Sequence, residues 1–101
     1  QKIEENTKHS NWMFGFRLDR EKSKGYGHLE TFFKERNIEV RPMFYPMSRH
    51  KFLKEEKLMN FGIEDNAKLV NETSVILPSF PGLTKKEQKT VINTVKEYLV
   101  T

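Results

Sequence analysis

Hydrophobic and polar residues alternate near the amino terminus, in a pattern that predicts a β-strand with one buried face. The apolar positions are Trp12, Phe14, Phe16 and Leu18, and the positions between them are Asn11, Met13, Gly15 and Arg17. A period of two is typical of a strand because successive side chains point to opposite faces. We therefore predict a first strand over residues 12–18 and expect Trp12 to pack in the core.

A helical spacing follows this strand after a polar turn. The apolar residues at i, i+3 and i+4 are Leu29, Phe32 and Phe33. Asn37 comes after them, and asparagine tolerates the left-handed conformation in which many helices end. We predict that the first helix ends near this residue.

A capping motif predicts where the last helix begins. Thr84 and Glu87 have the spacing of a capping box, in which each side chain bonds the backbone N–H of the other residue. The apolar stripe behind this cap comprises Val91, Ile92, Val95, Tyr98 and Leu99. We expect the opposite face to be solvated, because it carries Lys89, Asn93 and Lys96.

The remaining segments complete the predicted fold. Residues 38–41 and 74–77 predict two short strands, and Pro78 ends the later one because it cannot donate a ladder hydrogen bond. Residues 66–73 predict a short helix, whereas residues 51–65 lack a convincing period and are predicted to be mostly irregular. This order predicts an α+β fold of two layers, a sheet of about three strands covered on one face by helices.

Composition narrows the class of protein. The 101 residues predict a single domain, and the absence of cysteine excludes disulfides and fits a reducing compartment, so we expect a cytoplasmic protein. No apolar run approaches the roughly 18 residues of a membrane span, and no leader follows Gln1, so we expect neither insertion nor secretion. The net charge is +4, but Lys and Glu alternate along most of the chain, which indicates a solvated surface.

The loop after the second predicted strand is the main candidate for a functional site. Pro42 and Pro46 restrict its backbone, and Phe44 and Tyr45 lie between them. Stability alone does not require a loop that is both rigid and aromatic. We therefore expect this loop to present its side chains to a ligand or partner.

Polar groups around this loop suggest what the ligand is. The Arg41 guanidinium suits a carboxylate or phosphate, although an ion pair with a neighbouring Glu explains this residue equally well. Tyr45 and Ser48 add hydroxyl groups, and Phe44 adds a flat ring for a sugar or base. Core packing is the alternative for these three residues.

Other chemical motifs are weak. His9, His28 and His50 are far apart and lack a second ligand at i+2 to i+4, so no metal site is predicted, although His50 is best placed for a catalytic role. Lys24-Gly-Tyr-Gly begins like the RNA-binding strand of an RRM domain. However, His28 and Thr31 replace its expected aromatic residues, so we interpret the segment as a glycine turn that leads into a helix.

Several short motifs occur in a characteristic order. They are Asn37-Ile38, Arg41-Pro42, Tyr45-Pro46-Met47-Ser48, Leu77-Pro78, and Thr84 with Glu87. Together with the upstream strand that contains Trp12, this ordered set resembles the carboxy-terminal domain of the DegT/StrS family of pyridoxal-phosphate-dependent sugar aminotransferases. Asn37 stands in place of the family's usual Gly, and Ser48 stands where many members have His.

The resemblance implies a fold and a function. Residues 1–101 would be the small domain of a larger fold-type I aminotransferase, with residues 1–10 as the tail of a connecting segment and Gln1 not a natural start. Such enzymes transfer an amino group, usually from glutamate, to a keto-sugar carried on a nucleotide. The missing large domain would carry the cofactor lysine and bind most of the pyridoxal phosphate, so the chain alone is expected to be inactive.

The resemblance also implies site residues and partners. Arg41, Phe44, Tyr45 and Ser48 would line the substrate side of the pocket, and no catalytic, cofactor-binding or metal-binding residue is expected in this chain. The large domain would be a partner, the parent enzyme would be a homodimer, and neither nucleic acid nor membrane is expected to bind.

A second hypothesis belongs to a different class. The chain would be a stand-alone α+β binding module for an anionic ligand, such as a nucleotide or RNA, or for a protein partner. The pI near 9.4 and the aromatic loop favour it. It predicts salt-sensitive binding to such a ligand.

Overall fold

The structure is a computed structural model that describes residues 2–55 and 65–101. These residues form both strands and helices. In chain order the elements are β1 (Phe14–Arg17), α1 (Tyr26–Lys34), β2 (Arg41–Pro42), α2 (Lys51–Glu55), α3 (Asp65–Thr73), β3 (Ser74–Leu77) and α4 (Lys85–Val100). Single 3₁₀ turns lie at Arg20–Lys22 and Met47–Arg49. The predicted α+β class is confirmed.

Strand β3 is the centre of the sheet. The strand order is β1-β3-β2, and both pairs are antiparallel. Gly15 lies opposite Ile76, which in turn lies opposite Arg41, so these three residues form one row across the sheet. All four residues of β3 are buried, and its predicted bounds, residues 74–77, are confirmed.

Helices α1 and α4 cover one face of the sheet. The buried cluster comprises Leu18, Leu29, Phe33, Ile38, Val40, Val75, Leu77, Val91 and Tyr98. Leu29 and Phe33 from α1 are fully buried, and the Phe32 ring meets the Tyr98 ring of α4 edge-on at 5.0 Å. Alternate residues of β3, Val75 and Leu77, belong to this cluster because they point to the same face. The two-layer prediction is therefore confirmed.

The polar side of the α1–α4 contact is a bidentate ion pair. Arg36 donates from Nη2 to Glu97 Oε1 at 2.6 Å and from Nε to Glu97 Oε2 at 3.1 Å. Its guanidinium also lies 3.6 Å from the centre of the Phe32 ring, close enough for a cation–π contact. The hydrogen bond from Arg36 lowers the pKa of Glu97, so this carboxylate stays ionised at neutral pH.

Both ends of α1 follow the sequence prediction. Gly25, with φ of 86°, precedes the helix, as expected of a glycine turn. Asn37 has φ of 57°, and the N–H of Ile38 donates to the carbonyl oxygen of Phe33 at 3.0 Å. This left-handed residue reverses the chain and directs it back toward the sheet.

The prediction for the first strand was too long and wrong about Trp12. The ladder covers only Phe14–Arg17, and Trp12 and Phe14 are 70% and 63% exposed. Leu18, at the other end of the pattern, is buried. Alternation indicates which side chains share a face, but it does not indicate whether another element covers that face.

The second strand was placed too early. Strand pairing begins at Arg41 and includes Pro42, whereas residues 38–41 were predicted. Ile38 and Val40 are buried in the core, although their segment precedes the start of β2. Their alternation therefore indicated burial and not strand pairing.

The prediction of an irregular segment over residues 51–65 was wrong at its start. Lys51–Glu55 is a short helix, and α3 begins at Asp65, one residue before the predicted position. The rest of that prediction, residues 56–64, lies outside the described residues. Helix α2 was not predicted because it contains too few apolar residues to show a helical period.

The capping box and the solvated face of α4 are confirmed, but its buried stripe is narrower than predicted. Val91, Thr94 and Tyr98 are buried and Val95 is half-buried, whereas Ile92 and Leu99 are almost half exposed. One helical residue turns the side chain by about 100°, so positions next to the central line lie at the edge of the contact.

Truncation of the fully buried Phe33 to alanine should lower the free energy of unfolding by about 3–5 kcal/mol, because it leaves a cavity between α1 and the sheet. Urea denaturation monitored by circular dichroism measures this loss. Phe52→Ala, which removes an exposed ring, is the matched control and should change stability by less than about 0.5 kcal/mol. Equal losses would contradict the assignment of Phe33 to the core.

The capping box of α4 should make stability depend on pH. Hydrogen bonds from the Thr84 hydroxyl and backbone N–H lower the pKa of Glu87 below its ordinary value of 4.5. A lowered folded-state pKa stabilises the protein above that ordinary value, and this contribution is lost as the pH falls through the folded-state pKa. Glu87→Gln should therefore be less stable than wild type at pH 7, and the difference should shrink below pH 4.5.

Thermal unfolding at pH 7 and at pH 3 measures this difference, with the exposed Glu21→Gln as the control for loss of one carboxylate. A gap between Glu87→Gln and wild type that is as wide at pH 3 as at pH 7 would rule out the charge of Glu87 as its cause.

Candidate functional site

The loop from Met43 to Pro46 connects the edge strand β2 to the 3₁₀ turn. Pro42 and Pro46 restrict φ on both sides of it, and Pro46 is buried. Helix α2 follows this turn directly. The loop is therefore short and held at both ends.

Helix α3 holds this loop through two side chains. The Nδ2 of Asn71 lies 2.7 Å from the Met43 carbonyl oxygen and 3.2 Å from that of Phe44, and it donates to both. Arg49 donates from Nη2 to Glu72 Oε1 at 3.1 Å, which ties the 3₁₀ turn to the same helix. Satisfied backbone carbonyls and a partly buried ion pair limit the conformations open to the loop.

The Met43 side chain connects the start of the loop to strand β1. A Cβ atom added to Gly15 would lie 2.9 Å from Met43 Cε, so the Met43 side chain crosses from β2 to β1 over the space that this glycine leaves. In the row across the sheet, Ile76 lies between Gly15 and Arg41. A side chain at position 15 would move Met43 and, with it, the start of the loop.

Phe44 and Tyr45 join different neighbours. The Phe44 ring lies 6.3 Å from the Trp12 indole, on the β1 side of the loop. The Tyr45 ring meets His50 edge-on at 5.2 Å, and His50 in turn lies 5.6 Å from Phe52 in α2. Phe44 is 65% exposed and Tyr45 is 52% exposed. The loop therefore presents two aromatic faces, an apolar one with Trp12 and a polar one with His50.

Arg41 is accessible and only weakly paired. Its Nη2 lies 3.4 Å from Glu39 Oε1, and both side chains are exposed, so the ion pair expected from the sequence is present. Exposed pairs of this kind contribute about 1 kcal/mol or less. The guanidinium therefore remains available to an anionic ligand.

Tyr26 of α1 contacts the backbone of Val40, the residue immediately before Arg41. Its hydroxyl lies 3.0 Å from Glu30 Oε1 and 3.4 Å from the Val40 carbonyl oxygen, so one proton is shared between two acceptors. Burial, followed by the hydrogen bond to Glu30, raises the pKa of Tyr26 to about 12. The phenol stays protonated at neutral pH and keeps this contact with Val40, the residue before β2.

Ser48 lies in a different environment from the other predicted site residues. It is 7% exposed and forms part of the 3₁₀ turn, whereas Phe44 and Tyr45 are more than half exposed. Whether Ser48 contacts a substrate stays a prediction. The structure brings Phe44 to Trp12 and Tyr45 to His50, and it places Arg41 at the edge of the neighbouring groove.

This groove has a volume of about 650 Å³ and lies beside the carboxyl end of β3. Apolar residues of the core and the following turn line it, including Ile38, Leu77 and Val91. The charged side chains at its surface are Arg36, Glu39, Arg41 and Glu87. Trp12 lies at its rim, which makes the groove continuous with the apolar face of the loop.

Neither a cluster of metal-binding side chains nor a membrane-spanning helix occurs among the described residues. Within residues 2–55 and 65–101, no group of three or more His, Asp or Glu side chains is placed to hold a metal ion. Across the same ranges, no helix is both long enough and apolar enough to cross a membrane.

Comparison with known proteins identifies the family. The profile of the DegT/DnrJ/EryC1/StrS aminotransferase family matches residues 1–96 of this chain. The chain belongs to this family. The resemblance inferred from the ordered motifs is therefore confirmed.

A relative supports the same assignment. GDP-perosamine synthase of Vibrio cholerae is 33% identical to this chain over 92 residues, which cover 91% of the chain. The match spans only 24% of the length of that protein. No solved structure matches the chain at a significant level.

Two residues that position the loop of this DegT-family domain escaped the sequence analysis. Asn71 lies inside a helix, where asparagine is unfavourable unless its side chain has a specific partner, and this cost was a usable signal. Gly15 lies between Phe14 and Phe16 inside β1, and a glycine within a strand is a signal that another part of the chain approaches closely. Neither signal identifies the partner, because the loop is far away in sequence.

Asn71→Ala should loosen the loop without unfolding the domain. The backbone amides of Arg49 and His50, which donate to Pro46 and Met47, should exchange with solvent about fivefold faster, the effect of losing about 1 kcal/mol of hydrogen bonding. Amide hydrogen exchange followed by NMR measures these rates. Asn93→Ala on the solvated face of α4 is the control, and unchanged exchange in Asn71→Ala would show that the side chain does not hold the loop.

Proposed function

We propose that this chain is the small domain of an enzyme that transfers an amino group from glutamate to a nucleotide-linked keto-sugar. Membership of the aminotransferase family and the match to GDP-perosamine synthase over 91% of the chain carry this proposal. The match covers a minor part of that relative, so the proposed activity belongs to a longer parent enzyme. We expect this parent to act as a homodimer in the cytoplasm.

Pyridoxal phosphate, when bound, would carry the amino group between donor and acceptor. Its lysine needs a partly desolvated pocket. The lysines whose burial is described are exposed, except for the half-buried Lys68 on α3. These residues do not fit the cofactor site, which supports our proposal that the large domain holds the cofactor and that this chain alone is inactive.

Within the parent enzyme, the loop would form part of the wall of the substrate cleft. The Arg41 guanidinium would bind a phosphate of the nucleotide, because it is exposed, permanently charged and only weakly paired with Glu39. The Tyr45 hydroxyl would bind the sugar or phosphate, with its ring oriented by His50. Ser48 and Phe44 remain predicted substrate contacts.

The full-length gene product tests the proposed function. Its mass, its cofactor absorbance and the transfer of nitrogen from ¹⁵N-labelled glutamate to a GDP-linked keto-sugar would be measured, and the cofactor lysine would be located by lysine-to-alanine replacement. A longer chain with pyridoxal phosphate and transfer activity supports the proposal. A colourless product without transfer, but with salt-sensitive nucleotide or RNA binding, would favour the stand-alone binding module.

Arg41→Ala in the full-length protein should raise KM for the nucleotide sugar about tenfold or more, because a hydrogen bond to a charged group contributes about 1.5–3 kcal/mol. KM for glutamate should stay within about twofold, since that substrate carries no nucleotide phosphate. Steady-state kinetics with each substrate varied in turn measures both values. Arg17→Ala, which replaces an exposed arginine on the opposite edge strand β1, is the matched control, and equal effects of both variants would contradict a specific phosphate contact.

A further inference from the structure

Trp12 and Phe44 form an exposed apolar surface, the apolar face of the loop. Both rings are more than half exposed, yet they contact each other and belong to segments that the fold holds in place. Phe44 is held by Asn71 through its carbonyl oxygen, and Ser79 Oγ donates to the Trp12 carbonyl oxygen at 3.2 Å. Rigid, exposed aromatic rings lose little conformational entropy when a partner buries them.

The chemistry of this face differs from that of the Tyr45 face. Trp12 and Phe44 present hydrocarbon, with one indole N–H, and Trp12 also lines the groove of about 650 Å³, whose apolar lining includes Ile38, Leu77 and Val91. Tyr45 and His50 instead combine a hydroxyl with an imidazole. Aromatic anchors beside an apolar groove are typical of protein–protein interfaces, whereas sugars and phosphates need hydrogen-bond donors.

We infer that Trp12 and Phe44 together anchor this domain on the large, cofactor-binding domain of the parent enzyme, and this role replaces the predicted contact of Phe44 with the substrate. The occupant follows from chain length, because the match covers only 24% of GDP-perosamine synthase and the rest of such a protein is available to cover the face. This inference rests on the proposed function, and it leaves Tyr45 and Arg41 as the residues that face the cleft.

Photocrosslinking in the full-length gene product tests this inference. Phe44 is replaced by p-benzoylphenylalanine, which preserves the aromatic ring, and the captured peptides are identified by mass spectrometry. We expect capture of a segment upstream of Gln1, with and without saturating nucleotide sugar, and loss of that capture in Trp12→Ala. The same probe at Leu99, which is exposed at the far end of α4, is the control and should not capture that segment.

Three outcomes would overturn the inference: capture of the nucleotide sugar, capture of residues 1–101 of a second copy, or no capture above the Leu99 control. A kinetic arm covers the case in which the photoprobe disturbs folding. Trp12→Ala and Phe44→Ala should each lower kcat/KM for glutamate and kcat/KM for the nucleotide sugar by the same factor, because both half-reactions use the same closed cleft. A rise confined to KM for the nucleotide sugar would instead make Phe44 a substrate contact.

The unmodified full-length protein is assayed in parallel to separate the two proposals. If it lacks transfer activity and pyridoxal phosphate, the proposed function fails, whatever the photoprobe captures. If it is active but Phe44 captures no upstream segment, only the docking inference fails.

Discussion

The burial of β3 between two partners is the constraint on which the rest of this domain depends. Four consecutive buried residues, Ser74–Leu77, must satisfy their backbone groups within the protein, and the sheet does this by pairing β1 on one side and β2 on the other. The two flanking strands, far apart in sequence, are thereby held at fixed positions. Trp12 precedes β1 and Phe44 follows β2, and their rings lie 6.3 Å apart across a sheet in which only the single strand β3 separates β1 from β2.

The functional loop combines strong support with exposed side chains. Its backbone is restrained by prolines, by Asn71 and by the contact of Met43 with Gly15, whereas Phe44 and Tyr45 project into solvent. A fold that only needed to close a turn after β2 would not require large apolar rings there. This combination is typical of a surface that is completed by another part of the same protein, because preorganised groups lose little entropy when the surface is covered.

The division of the loop into two faces agrees with the place of this domain in an aminotransferase. In the proposed parent, the chemistry would reside in the cofactor and the large domain, and the small domain would contribute shape, charge and closure. A polar face with Tyr45 and an apolar face with Phe44 would allow one short loop to meet substrate and protein at once. The Phe44 ring lies against Trp12 and the Tyr45 ring against His50, so the two adjacent side chains already have different neighbours.

Local features of the sequence determined most elements of the fold. The capping box of α4, the left-handed Asn37 and the bounds of β3 depend on nearby residues, so the sequence predicted them correctly. The order of the short motifs was also sufficient to indicate the family. Arg41, Phe44 and Tyr45 could be proposed as site residues because two prolines so close together already restrict the loop.

Only the tertiary structure decided which apolar side chains are covered and which residues support the loop. Trp12 has the alternation of a core residue, but exposure depends on whether another element packs over it, and none of the described elements does so. Asn71 donates a hydrogen bond to the carbonyl oxygen of Met43, which lies 28 residues earlier in the chain. The Met43 side chain reaches across the sheet to Gly15. Such long-range contacts are set by strand order and register, and these arise from the packing of the whole domain, which no local pattern encodes.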